Sequence, residues 1–448
     1  LHDITMWSYY LACACDRVVA PESVSYRVAG LQAEAHFLKD TLALAGIEAD
    51  FEAIAEYETS PDTLRRAEMT EPHREMLGWL LDSLFEEVVR AISEGRELAP
   101  ESIEELLDAV PMTTEEARVQ GLLDIVCYED ELATRLGTEE NPASLIPWSE
   151  ARKQLIRPRR WRGGRAVGAI SLEGVIVPGP SRQPPLPLPI PLPLPTRQAG
   201  SDTIVQLLRA AASNRRLAAV VLHVESPGGS ALAADLIWRE VAHLRRVKPV
   251  VVYMGNQATS GGYYASAPAN MVVCQPTTIT GSIGVWGGKL VTAGLLDKVG
   301  AGQESVSRGK AAGLYASSAP FSDDERDRVR ADMGATYTRF KSRVSESRGM
   351  SESEVDAVAR GRVWTGEQAL AKRLVDRLGD FRDAADEARK LAGLSPQRNW
   401  PVVDVSPPSA FQLPLPIATE ANGWIAATER LLREGVFALA PWQIRIRE

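Results

Sequence analysis

The chain has 448 residues, 45% of them hydrophobic and 24% charged, the composition of a globular protein with room for two or three domains. Its 50 Lys and Arg against 59 Asp and Glu leave a formal charge of −9, which gives nucleic acid no electrostatic footprint. Cys13, Cys15, Cys127 and Cys274 form neither a disulfide framework nor a zinc-ligand spacing, and no apolar run reaches the roughly 18 residues of a membrane-spanning helix.

The chain opens on Thr5-Met6-Trp7-Ser8-Tyr9-Tyr10, followed by an apolar strand ending at Val18-Val19. Met69 to Glu75 and Thr113 to Asp124 come next, and both recur 252 residues later, at Phe321 to Asp327 and Thr365 to Asp376. Tyr9-Tyr10 recurs as Tyr263-Tyr264 at an offset of 254. A register held over such distances marks an internal repeat. The first copy occupies residues 1–150, a basic linker 151–165, the second copy 166–395 and a tail 396–448. Arg152, Lys153, Arg157, Arg159, Arg160, Arg162 and Arg165 make the linker basic, and a solvated stretch is its plainest reading, with anionic lipid contact second. The first copy has no counterpart of the strands that precede Ser260, so the sequence is expected to start in mid-domain, with an anchor or signal segment upstream left open.

The second copy begins with β-rich runs bounded by turn residues at Ala166 to Val177, Leu217 to Val224 and Pro249 to Met254. Pro178 to Pro195 interrupts them as a proline-dense insertion, expected as an extended polyproline II loop ahead of a helix starting near Ser201. Helices are expected over Ser230 to Arg246 and Asp323 to Arg348. A strand over Ile279 to Val285 is expected to pair with an extended peptide. The tail carries a second proline patch and then an amphipathic helix behind Asn422, with Trp424, Ile425, Leu431, Leu432, Val436 and Leu439 at helical spacing. Docking onto the protein itself is the first reading of that helix, and contact with a membrane surface the second.

Two strand-turn-helix units carry the chemistry: one turn is Ser226-Pro227-Gly228-Gly229, the other Ser260-Gly261-Gly262. In parallel βα units such turns meet at one edge of the sheet, where open α/β sheets bind ligands. Glycines let backbone N–H groups approach a developing oxyanion, and a serine at a helix N-terminus sits where negative charge is favoured. This is an acyl-transfer site in outline. His223 precedes it on a strand and could approach Ser260, although a strand histidine paired to backbone is the commoner outcome, and neither a competing Ser-His-Asp set nor a metal motif such as H-E-x-x-H is present, so no metal or cofactor is expected.

The motifs SPGGS, TSGGYYASAPANMVV and TITGSIGVWGG resemble those of the signal peptide peptidase family (SppA, protease IV) over roughly residues 1 to 395. The resemblance implies an α/β fold of the ClpP/crotonase-like type, spiral ββα repeats in two tandem copies, the first truncated and degenerate. It implies Ser260 as nucleophile, the amides of Gly261 and of Gly228 or Gly229 as oxyanion hole, and Lys310, in Ser307-Arg308-Gly309-Lys310, as general base. It also implies peptide substrates with apolar segments such as cleaved signal peptides, a homo-oligomeric ring (a tetramer), and association with the bacterial cell-envelope membrane. A lysine acts as base near neutral pH only when burial or nearby positive charge lowers its pKa by several units.

The pattern breaks in the first copy: Met6 stands where Ser260 does in the second, and Glu58 where Lys310 does. Two-copy relatives take the lysine from the first copy and the serine from the second. If copies alternate in a ring here, Ser260 faces Glu58, a weak base unless its pKa is raised. Two functions follow: a serine peptidase working through Ser260 and Lys310, or a ring-forming binding protein that has lost the dyad. Acyl-CoA chemistry on the same fold is third.

Overall fold

The structure is a computed structural model that describes residues 1–155, 164–182, 197–398, 400–405 and 436–439. Most of the proline insertion and most of the expected tail helix lie outside them. The chain forms two compact units, one built mainly from Leu1–Glu34 and Leu81–Arg160, the other from Ala35–Leu80 and Trp161–Gln443. Residues 35–80 belong to the first sequence copy yet pack within the unit that holds the second. Unit boundaries and repeat boundaries therefore differ.

The smaller unit gathers the helices Met6–Ala12 and Pro100–Asp108 and two short sheets, Val19–Ala20 beside Ile125–Val126 and Ser25–Tyr26 beside Met112–Thr113. Its core holds Ile4, Tyr9, Tyr26, Ile92, Ile103 and Leu122.

In the larger unit the strands in chain order are β1 (Glu48–Ile54), β2 (Ala166–Glu173), β3 (Val175–Val177), β4 (Gln198–Gly200), β5 (Leu217–Ser226), β6 (Gly228–Ser230), β7 (Val250–Thr259), β8 (Met271–Cys274), β9 (Ile279–Gly281), β10 (Val285–Val291), β11 (Val363–Thr365), β12 (Arg377–Leu378), β13 (Val402–Asp404) and β14 (Val436–Leu439). One sheet runs β11-β9-β7-β5-β2-β13, with β8 and β12 branching from β7, and is parallel except at its β9-β11 pair. The near-continuous apolar run of β5 follows from cover on both faces. Val220, Leu222 and Val224 share a core with Leu208, Ile237 and Phe340, while Val221 and Val251 pack with Ala384 and Ala388 of the helix Phe381–Leu391. The second sheet runs β1-β10-β14-β6-β3-β4. β1, from the first sequence copy, pairs antiparallel with β10 from Glu48 opposite Val291 to Ile54 opposite Val285.

The repeat is built twice in side-chain detail. Tyr9 Oη donates to the Leu122 carbonyl at 2.7 Å, and Tyr263 Oη to the Leu374 carbonyl at 2.9 Å. The Val18 amide donates to Asp124 and the Val272 amide to Asp376, both at 2.7 Å, and each carboxylate is held by the arginine ending a long helix, Arg96 or Arg348. Those helices, Glu71–Arg96 and Asp323–Arg348, begin and end 252 residues apart. Ser93 and Ser345 close the helix ends by donating to Leu98 and Met350 carbonyls at 2.6 Å.

Two expectations are corrected. Val436–Leu439 is strand β14, because two open sheet edges flank it and backbone pairing overrides its helical spacing. Ile279 to Val285 is broken at Ser282–Gly284, where Ser282 has φ +50, so β9 and β10 belong to different sheets. β10, not β9, lines the position beside β14. Other expected elements agree closely: β2 with β3, β5, β7, the helix Ser201–Ser213, the helix Ala231–Leu244 capped by Ser230, and Asp323–Arg348 capped by Ser322. Among the described residues no helix is long and apolar enough to cross a membrane.

Candidate active site

β5 and β7 run side by side in parallel with Ala258 opposite Ser226, so the turns that follow them meet at the carboxyl edge of the sheet. Gly262 closes the contact: a Cβ there would stand 2.9 Å from the Ser226 carbonyl oxygen. Ser226 braces the first turn, its Oγ donating to the Gly174 carbonyl at 2.7 Å and accepting from the Gly228 amide at 3.1 Å. The expected oxyanion donor Gly228 is thus engaged internally. Gly261, as the first residue of the helix Gly261–Ser266, has no partner for its amide within that helix. Gly228 and Gly229 have φ +100 and +154, conformations that side chains resist.

Ser260 is the N-cap of that helix with φ +52 and ψ −113. A left-handed φ is strained for a serine, and such strain concentrates where a strand-to-helix turn must present a nucleophile. The turn is held by the Ser260 amide, which donates to the Gly281 carbonyl at 2.8 Å, and by the Tyr264 amide, which donates to the Ser260 carbonyl at 2.8 Å. Ser260 is fully buried, and among the described residues its Oγ has no hydrogen-bond partner. A buried hydroxyl without a partner forfeits the ~1–3 kcal/mol that satisfaction would return, which is the condition of a group kept ready for a ligand.

The first copy lacks this elbow. Met6 is helical and outside the left-handed region, and Thr5 caps the helix from an extended conformation with φ −97. Ser8 is spent on a capping box, its Oγ accepting from the Thr5 amide at 2.9 Å.

The candidate bases separate in space. Lys310 stands on an exposed turn beside Gly309, and among the described residues no hydrogen bond joins it to Ser260. His223 stacks on Tyr253 with ring centroids 5.7 Å apart, and its Nδ1 is 4.0 Å from Glu173. Burial lowers the pKa of His223. Glu58 lies within the same unit as Ser260 and is buried against Gly284 and Gly361, where missing side chains make room for it. The backbone around it is knitted by bonds from the Tyr57 amide to the Arg360 carbonyl, from Gly361 to Ile283 and from Ser282 to Arg362. Among the described residues its Oε1 has no partner, and burial raises its pKa to about 8 despite hydrogen bonds from Ser60. At neutral pH Glu58 is therefore mainly a neutral acid, able to donate a proton rather than accept one.

One buried cation escaped the sequence reading. Lys289 on β10 donates to the Leu314 carbonyl at 2.9 Å and lies over the Phe321 ring at 4.2 Å, and burial lowers its pKa. The signal was a lysine inside the apolar run Val285–Val291. Its bond tethers the segment that carries Lys310. Among the described residues no cluster of His, Cys, Asp or Glu could hold a metal.

A strained, buried serine at a strand-to-helix elbow stands beside a glycine turn on a neighbouring parallel strand of an α/β fold. Residues 4–142 and 242–395 match peptidase family S49, and the chain belongs to that family. It is 31% identical over 413 residues to the chloroplastic serine protease SPPA of Arabidopsis thaliana, covering 90% of this chain and 59% of that protein. It is 29% identical over 399 residues to Protease 4 of Haemophilus influenzae, covering 86% and 62%. The chain thus spans about 60% of the length of these relatives. Among solved structures it matches a ClpP1 variant from Listeria monocytogenes at 12% identity and a TM-score of 0.30, over 48% of this chain and 94% of that one.

Proposed function

We propose that the protein is a serine endopeptidase acting on extended peptides with apolar segments, such as cleaved signal peptides, through an acyl-enzyme on Ser260. The observation that carries the reading is the left-handed, buried Ser260 with an unpartnered Oγ in a chain of peptidase family S49. In this reading Ser260 Oγ attacks the scissile carbonyl and its proton passes to a base. The amides of Gly261 and Gly229 hold the oxyanion, and Gly228 shapes the turn. The leaving amine takes the proton, and water then releases the acyl group.

Lys310 is the proposed base. Because it is exposed in one chain, it reaches Ser260 from a neighbouring chain of a homo-oligomeric ring, where assembly takes it out of water. The envelope membrane is the proposed setting, as the family resemblance of the sequence motifs implies. A second reading, a degenerate ring-forming binding protein, is favoured by one observation: among the described residues no base bonds Ser260 Oγ.

Labelling with a fluorophosphonate probe and cleavage of a fluorogenic apolar peptide separate the two. The peptidase reading expects wild type to label and cleave, and Ser260→Ala and Lys310→Ala to fail singly. It expects a mixture of the two variants, refolded together, to regain activity. Wild type that neither labels nor cleaves overturns it in favour of the binding protein.

A further inference from the structure

We infer that a cavity lined by His223, Glu225, Tyr253, Asn256, Gln275 and Thr277 is a binding site for a primary alkylammonium group, such as a lysine side chain or the end of a polyamine. The cavity measures about 300 Å³. It lies at the carboxyl edge of the parallel sheet, where such sheets take ligands, on the face covered by the helix Phe381–Leu391. β7 is built around it. Val224 pairs with Met254 and Ser226 with Ala258, so Glu225 alone stands opposite Gly255, Asn256 and Gln257. Such a bulge is rare in a parallel pair and re-aims the side chains around it. The Glu225 carboxylate enters the gap, accepting the Asn256 amide at 2.7 Å and the Gln257 amide as well. A Cβ on Gly255 would collide with Glu225 Oε2 and stand 3.2 Å from His223 Nε2, so only a glycine lets the acid and the imidazole meet there. Thr278 fixes the wall, its Oγ1 donating to the Gly255 carbonyl at 2.7 Å and accepting the Gln275 amide at 3.0 Å.

The chemistry of the lining selects the ligand. Among the described residues the cavity wall carries one carboxylate and neither lysine nor arginine. Burial keeps His223 neutral near pH 7 and raises the pKa of Glu225, as happens where a carboxylate leaves water without a cation beside it. The positive end of the helix Phe381–Leu391 is offset by its own cap, Asp380. A metal ion finds too few ligands among the described residues. A guanidinium fork needs both oxygens of a carboxylate, and those of Glu225 already serve backbone amides. A compact ammonium needs less. Its three N–H groups are shared between Glu225 and the side-chain oxygens of Asn256, Gln275 and Thr277, while its alkyl stem lies against the rings of His223 and Tyr253, stacked with centroids 5.7 Å apart. The site is independent of whether Ser260 reacts.

The test titrates the full-length chain, by ligand-detected NMR, with Nα-acetyl-lysine N-methylamide, its arginine and norleucine counterparts, and cadaverine. The lysine compound is expected to saturate with a Kd of about 1 mM or tighter, the arginine compound to bind several-fold more weakly and the uncharged norleucine compound at least about tenfold more weakly. Glu225→Gln is expected to weaken the lysine compound by about tenfold, and Tyr253→Leu by several-fold. The comparison of charged with uncharged ligand is made on wild type and so does not depend on either variant folding. Absence of saturable binding by the lysine compound overturns the inference, as does equal binding of the norleucine compound or unchanged lysine binding by a folded Glu225→Gln. Cadaverine binding more tightly than the lysine compound assigns the site to free polyamines, and the reverse order assigns it to lysines of a peptide; both orders sustain the site.

Discussion

Gly262 and Ser226 are in backbone contact: the space a Cβ would take on Gly262 lies 2.9 Å from the Ser226 carbonyl oxygen and 3.3 Å from its Cβ. Both neighbours are fixed, because Ser226 is braced by Gly174 and Gly228. Gly262→Ala is therefore expected to push the two turns apart. Fluorophosphonate labelling should fall by about tenfold or more, since misplacement by an ångström costs orders of magnitude in rate. Labelling at the wild-type rate would show that the turns do not act together.

Ser260 stores strain as well as an unsatisfied hydroxyl. Ser260→Gly accommodates φ +52 without steric cost and removes the buried Oγ, so it should abolish labelling while stabilising the larger unit by about 1 kcal/mol. Denaturant unfolding of the two proteins measures this. A less stable glycine variant would mean that the serine side chain supports the turn.

Glu58 makes a prediction about pH. Its carboxyl titrates near 8 in the folded chain and near the ordinary carboxylate range when unfolded, so between about pH 4.5 and 8 the folded state holds the extra proton. The stabilising contribution of the neutral acid is full below that window and is lost as pH rises through it. Glu58→Gln keeps the shape and cannot ionise. Melting temperatures from pH 5 to 8.5 should fall less steeply for the variant, with the larger gap at the alkaline end. Parallel curves would place the ionisation elsewhere.

Lys289 ties β10 to the turn that follows Lys310. Removing its ammonium frees the Leu314 carbonyl and the Phe321 face. Lys289→Ala should cost about 1–2 kcal/mol and make the exposed segment around Arg308 and Lys310 a faster site for trypsin. Limited proteolysis read by mass spectrometry tests it, and unchanged cleavage would show the tether to be idle.

Periodicity and turn chemistry were legible because they are local. Asp323–Arg348 could be bounded from Ser322, Glu325 and Gly349, and the elbow from Ser260-Gly261-Gly262 beside Pro227-Gly228-Gly229. The repeat also translated into paired contacts such as Tyr9 to Leu122 and Tyr263 to Leu374. Long-range pairing was not legible. Nothing in Val436–Leu439 announces that two sheet edges wait on either side of it, and its helical spacing pointed the other way. Ser282 broke an apparently continuous strand by adopting a left-handed φ that a serine seldom takes. The surroundings of Glu58 depend on Gly284 and Gly361, far along the chain, and no window around Glu58 could show that its carboxylate would be desolvated.

The ladder between β1 and β10 joins segments more than 230 residues apart, and so has a temporal side. A chain made from its N-terminus exposes Glu48–Ile54 long before Val285–Val291 exists to cover it. Glu48, Asp50 and Glu52 alternate along that strand, and like charges on a bare edge discourage pairing with a neighbouring nascent copy. Arg326 later binds both Asp50 and Glu52, so the charges that guard the edge during synthesis become ion-pair partners once folding is done.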